Sequence, residues 1–285
     1  MTKIIKGRET ADELDRQTSG KVEQLKKEGV VPVLAVVRAG ERPDDIAYEK
    51  SILKKADRLG IEVKRSVLPG KTDTAEASEV IKVLSDDPLI HGIMVFRPLP
   101  SDIDDEAVRR ALTPEKDIDG ITDGSMAGIY GSGSTGMQGF FPCTAEACME
   151  ILRHENIQIS GRKAVVLGRS LVIGKPAAML LLAEDATVTV CHSRTKDTEK
   201  ICREADILIT AAGKAKTAGK GYFRAGQTVI DVGINPDAEG NICGDADMDA
   251  AVDTVDAITP VPGGVGTVTA SVLMKHVADA ACIRK

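Results

Sequence analysis

One stretch carries residues at spacings that could bind an anion. The stretch KAVVLGRSLVIGKP (163–176) joins an apolar run to a turn with two glycines, Gly168 and Gly174, that opens a helix. A triphosphate-binding loop needs G-x-x-x-x-G-K-[ST], with the hydroxyl reserved for magnesium. Here five residues separate the glycines, and Pro176 stands where the hydroxyl belongs. A dinucleotide loop tolerates that spacing, provided that one glycine lies at the strand exit and another at the helix start. About 20 residues further on, such folds place the group that reads the adenosine ribose. The chain carries His192, Ser193 and Arg194 there rather than an acid, and Arg169 projects from the loop. Arginine and serine favour a 2′-phosphate through charge-assisted hydrogen bonds, so NADP is expected over NAD.

The elements that must position these residues fall into two blocks. In the first, helical patterns (Thr10–Lys27, Pro43–Leu59, Ala75–Leu84) alternate with the strand-like runs VPVLAVV, IEVKRSVL and HGIMVF. Between Thr113 and Pro142 the pattern breaks, and GSMAGIYGSGSTGMQGF suggests an irregular inter-domain connection. A helix from Thr144 then leads to KAVVLG, ATVTVCHS, ADILITAA and TVIDVG, β-branched runs at β-α-β spacing. A last helix, Thr267–Ile283, follows PVPGGVG. This alternation predicts an α/β protein with parallel sheets. The expected domains are 1–140, joined by the C-terminal helix from about 267, and a Rossmann-like dinucleotide domain over 141–266.

Composition narrows the function classes. A net charge of −6 argues against non-specific nucleic-acid binding, which needs a basic footprint. The six cysteines form no C-x-x-C pair and read as small apolar residues of a reducing compartment, and no metal site is expected. The opening residues carry no apolar signal region and no run is long enough to span a bilayer, so a cytoplasmic protein without membrane partners is expected.

The segments AYEKSILKKADRLGI, PEKDIDG (114–120), FFPCTAEA (140–147), GRSLVIGKP and TPVPGGVGTVT (259–269), in this order, resemble the bifunctional methylenetetrahydrofolate dehydrogenase/cyclohydrolase family over nearly the whole chain. The resemblance implies a folate-side domain and a dinucleotide domain with a cleft between them, and a homodimer paired through the latter. It implies NADP-dependent oxidation of 5,10-methylenetetrahydrofolate to the 5,10-methenyl cation, then hydrolysis to 10-formyltetrahydrofolate. Carried over residue by residue, Tyr48 and Asp119 become catalytic and folate-binding, with Val95, Pro98, Pro262 and Gly263 around the ligand. Gly168, Arg169, Ser170, Gly174, Lys175, Pro176, Ser193, Arg194 and Ile234 become cofactor-binding, Arg169 and Ser193 at the 2′-phosphate.

Three positions depart from the family pattern. Ile52 stands where the family has a lysine one helical turn after the tyrosine, and Phe96 where VQLPLP supplies a glutamine to hold it. Thr267 replaces the usual proline. Losing lysine and glutamine together avoids stranding a buried polar group. Hydride transfer needs alignment above all, whereas hydrolysis needs an acid–base group. The expectation is a dehydrogenase with weakened or absent cyclohydrolase. The alternatives are rescue by Arg97 or by Lys55, which otherwise reads as a solvated helix charge, a non-catalytic binder of folate or NADP, and a quinate- or shikimate-type dehydrogenase.

Overall fold

A computed structural model describes residues 1–131 and 139–283; residues 132–138, within the segment read as irregular, lie outside the description. In chain order the elements begin with β1 (Lys3–Ile4), α1 (Gly7–Lys27), β2 (Val33–Ala39), α2 (Pro43–Leu59), β3 (Glu62–Leu68) and α3 (Thr74–Asp86). Then come β4 (Gly92–Val95), α4 (Asp105–Ala111), α5 (Asp123–Tyr130), α6 (Cys143–His154), β5 (Lys163–Leu167), α7 (Gly174–Ala183) and β6 (Thr187–Cys191). The remainder is α8 (Thr198–Arg203), β7 (Ile207–Thr210), β8 (Thr228–Asp231), β9 (Asn235–Pro236), β10 (Ile242–Cys243), α9 (Met248–Val252), β11 (Ala257–Ile258) and α10 (Val265–Ile283). α5 occupies part of the stretch expected to be irregular. Thr122 starts it by accepting the Ser125 amide, a local signal that outweighs the missing apolar period.

The chain divides into two compact units, Met1–Asp12 with Thr144–Thr269, and Glu13–Cys143 with Ala270–Lys285. The first twelve residues therefore belong with the later block, not with the first domain as expected from the sequence. The cause is β1, which pairs in parallel with β11 (Lys3↔Ala257, Ile4↔Ile258). A two-residue strand shows no periodicity for a sequence reading to detect.

The first unit holds a six-stranded parallel sheet in the order β1-β11-β8-β7-β5-β6. From β5 the chain moves outward to β6, then returns across β5 to β7. That reversal places a topological switch point between β5 and β7, where open α/β sheets bind ligands. Beneath it, Val165, Leu167, Leu208 and Val229 pack with Cys191, Cys202 and Phe223.

The second unit holds a three-stranded parallel sheet in the order β3-β2-β4. Alternation along β2 sends Ala35, Val37 and Ala39 into a core shared with Ile81, Leu84, Ile93 and Val95. Arg38, in between, points to the opposite face. There α2, started by Pro43 and stopped by Gly60 at φ 74°, buries the stripe Glu49, Ile52, Ala56 and Leu59. Glu49 enters this apolar stripe because two guanidinium groups meet it. Arg38 Nε lies 2.9 Å from one oxygen and Arg65 Nε 2.6 Å from the other. Those bonds hold the Glu49 carboxyl below its ordinary pKa against the opposing effect of burial.

Removing one partner of a buried pair leaves the other uncompensated. Glu49→Ala is expected to destabilise this unit by about 3 kcal/mol in urea unfolding. Arg65→Ala, at a side chain 52% exposed, should cost less than about 1 kcal/mol.

Candidate active site and nucleotide pocket

In the second unit, the turn after α4 is built from its ends inward. The buried Lys116 donates to the carbonyl oxygens of Asp87 (2.5 Å) and Leu84 (3.4 Å), closing the C-terminal end of α3. Asp117, fully buried, accepts the amides of Ile121 (3.0 Å) and Thr122 (2.7 Å), while Ile118 fills the core. Gly120 turns the chain at φ 65°, in contact with the backbone of Phe140 and Phe141. Asp119 is thereby fixed between these anchors.

Burial pushes the Asp119 carboxyl up to about 6. Hydrogen bonds from the thiol and amide of Cys143, and the nearby His276, pull it back down, while Asp117 opposes them. Burial likewise raises the Tyr48 phenol, and Asp119 and Cys143 add to the shift, so the phenol stays neutral. Tyr48 as a whole remains 37% exposed. Tyr48 meets Phe96 edge to face, centroids 5.8 Å apart and planes at 66°.

The structure thus brings Tyr48, Asp119 and Phe96 together in one unit. Ile52 is fully buried one turn along the same helix. Val95 is placed differently from the expectation: alternation on β4 turns it into the sheet's other core, away from Phe96, and leaves only its backbone on the Phe96 side. Pro98, after a cis peptide, is exposed just beyond β4. Pro262 and Gly263 are exposed in the first unit.

The two substitute bases are both engaged. Lys55, expected to be a solvated helix charge, is only 15% exposed and lies 2.9 and 3.0 Å from the Asp15 carboxylate oxygens and 2.6 Å from Ser271 Oγ. Arg97 forms a two-point pair with Asp105, at 2.7 and 2.6 Å.

In the first unit, Gly168 leaves β5 at φ 133°, and a Cβ there would sit 2.0 Å from Ala211 O at the exit of β7. A Cβ on Gly174 would meet Gly168 O at 2.4 Å. Only two glycines let the turn pass this closely. Ser170 Oγ accepts the amides of Ile173 (3.1 Å) and Gly174 (3.3 Å), and Ser170 O accepts that of Lys175. The first amides of α7 are therefore spent inside the loop. Among the described residues, the amides of Arg169, Ser170, Leu171 and Val172 meet no acceptor, so the loop itself has N–H groups to offer an anion.

A cavity of about 510 Å³ opens at this turn, over the strand exits of β5, β6 and β7. Gly168, Arg169, Ser170 and Ser193 line it as expected, together with His192, Thr195, Lys214 and Tyr222. Its described lining carries two permanent cations and no acid, which fits a phosphorylated ribose. Lys175 and Arg194 are exposed outside this lining, Gly174 and Pro176 lie buried at the start of α7, and Ile234 is 69% exposed. Two residues missed by the sequence reading hold the far wall. Asp245 accepts the amides of Gly213 and Lys214, each at 2.9 Å, and Asp231 accepts those of Asp245 (3.0 Å) and Ala246 (2.9 Å). Their signal was available: acids following a buried strand and a Gly-rich turn. Glu9, His154 and Glu155 also approach within metal-binding spacing, but the Lys3 ammonium lies 2.5 Å from Glu155 and already supplies a cation.

Residues 142–285 match the family model described as tetrahydrofolate dehydrogenase/cyclohydrolase, NAD(P)-binding domain, and residues 5–119 match the catalytic domain of the same family. The chain belongs to the tetrahydrofolate dehydrogenase/cyclohydrolase family. The protein named bifunctional protein FolD from Carboxydothermus hydrogenoformans is 46% identical, over 98% of this chain and 97% of the relative. The solved FolD of Campylobacter jejuni superposes with a TM-score of 0.95 at 32% identity, covering all of both chains. That of Trypanosoma brucei, complexed with NADP and an inhibitor, gives 0.92 at 34%, covering 99% of this chain and 98% of the other. The first unit, with its cationic cavity, carries the family's NAD(P)-binding domain.

A guanidinium–phosphate contact is worth about 1.5–3 kcal/mol. Arg169→Ala should therefore weaken NADPH binding about 10- to 100-fold by fluorescence titration, and leave NADH binding within about threefold.

Proposed function

We propose that this protein oxidises 5,10-methylenetetrahydrofolate to 5,10-methenyltetrahydrofolate with NADP, and that its cyclohydrolase step is weakened or lost. The observation that carries the second half is the apolar contact of Phe96 with Tyr48 beside the buried Ile52. NADP supplies a hydride acceptor when bound; Arg169, Ser170, Ser193 and Lys214 would hold it. Asp119, ionised above about pH 6, accepts hydrogen bonds from the N–H groups of a pterin and orients the ring. Tyr48, neutral, gives the ring a flat apolar neighbour. The carbon that loses hydride lies between two nitrogens whose lone pairs stabilise the cation, so this step asks for positioning alone.

Hydrolysis asks for more. Water attacking the methenyl carbon must lose a proton while the ring nitrogen gains one, and neither Ile52 nor Phe96 can carry it. Lys55 is bound to Asp15 and Ser271, and Arg97 to Asp105, which supports loss over rescue. The FolD relatives are named bifunctional, so this chain would differ from them in one half of its activity.

Two exposed apolar side chains, Val190 on the edge strand β6 and Leu182 on α7, support pairing as a homodimer through that unit. Sedimentation should show about 60 kDa, and Val190→Lys should shift it toward the monomer.

With methylenetetrahydrofolate and NADP, the methenyl product should accumulate and decay at the buffer rate. An Ile52→Lys/Phe96→Gln double variant should speed that decay about 10²- to 10⁴-fold, the usual contribution of a positioned acid–base group. Hydrolysis by the unaltered enzyme well above the buffer rate would overturn the proposal.

A further inference from the structure

Asp119 is held by a partner that is itself held. His276, on α10, is buried, with its ring 4.7 Å from that of Phe140 and tilted 30° to it. Its Nδ1 lies 2.8 Å from the carbonyl oxygen of Ile118. A carbonyl oxygen only accepts, so Nδ1 carries the hydrogen and donates it. The same nitrogen is 3.6 Å from Cys143 Sγ, which it cannot then accept from. Cys143 Sγ is itself 3.1 Å from Ile118 O and also within hydrogen-bonding reach of the Asp119 carboxylate. The thiol thus has two acceptors, a neutral carbonyl already served by an imidazole N–H and a charged carboxylate. The charged acceptor forms the stronger bond.

We propose that His276 is a positioning residue that acts through Cys143: by sharing Ile118 O with the thiol it weakens that bond, favours the thiol's bond to Asp119 and so fixes the carboxylate that orients the substrate. This rests on the folate reading above, in which Asp119 must be ionised to bind the pterin. The groups facing Asp119 are Asp117 on its own turn, Cys143 at the start of α6, His276 on α10 and Tyr48 on α2. Burial outweighs the bonds from Cys143, leaving the carboxyl near 6. Removing a donor to the ionised form raises that value further.

The sign follows. In the unaltered enzyme, kcat/KM for methylenetetrahydrofolate should fall as pH drops through about 6, because protonated Asp119 no longer accepts both pterin hydrogens. In Cys143→Ala that acid limb should move to higher pH, and KM for the folate should rise about tenfold at pH 7 while KM for NADP stays within about twofold. Cys143→Ser, which keeps a donor, should restore both. His276→Phe keeps the ring packing on Phe140 and removes the N–H. It should reproduce most of the shifted limb, and added to Cys143→Ala it should leave only the smaller direct effect of His276 on Asp119.

Multiplying effects in the double variant would show that His276 does not work through the thiol and would overturn the inference. An unmoved limb in both single variants would do the same. Carbon-13 titration of the Asp119 carboxyl, assigned with Asp119→Asn, reads the same shift without turnover. If the unaltered enzyme does not oxidise the folate, the functional reading fails. The carboxyl titration then still decides whether His276 and Cys143 control Asp119.

Discussion

Both units depend on one constraint: their principal strands run parallel. In a parallel sheet every strand ends on the same edge, and the connections that follow collect there. The exits of β5, β6 and β7 supply Arg169, Ser193 and Lys214 to one cavity, although 45 residues of chain separate the first from the last. Gly168 and Gly174 matter because that edge is crowded. The first turn must pass within contact distance of the exit of β7 for the loops to converge. In the second unit the same constraint puts Phe96, at the end of β4, beside the helix that follows β2.

Charge is treated oppositely in the two sites. Around Tyr48 and Asp119, polar groups are few, buried and individually accounted for. Asp117 serves backbone amides, Lys116 serves backbone carbonyls, and Glu49 is divided between two arginines. Burial opposes the charge of Asp119, one mark of a group kept for a ligand, although burial raises Asp231 to about 6 as well while its oxygens serve backbone amides. The nucleotide cavity is open and cationic, and the acids behind it, Asp231 and Asp245, hold backbone amides.

Much of this was legible in the sequence. The helix over 43–59 is delimited by Pro43 and Gly60, and the strands by β-branched runs, because those signals are local. Arg169 and Ser193 were legible because strand-exit residues follow from the fold class. What escaped reading depends on contacts between distant segments. β1 is two residues long and exists only because β11 lies beside it. Val95 looked like a wall residue until the alternation of β4 fixed its side. Lys55 looked solvated because Asp15 and Ser271, its partners, come from the two ends of the chain. Ser170 lines the cavity, yet its hydroxyl oxygen also accepts amides at the start of α7, a double use that only the folded turn reveals.

The Ile52–Phe96 arrangement also bears on how such a chain could change over generations. A lysine at 52 alone would bring an ammonium into a fully buried position beside an aromatic ring, with no amide to receive it. A glutamine at 96 alone would bury an amide next to isoleucine and forfeit the packing against Tyr48. Each single step lowers stability before any proton-transfer chemistry returns, because the two polar groups are useful only together. If the hydrolase step is lost as proposed, the two apolar side chains act as a ratchet, because its return must pass through a less stable intermediate.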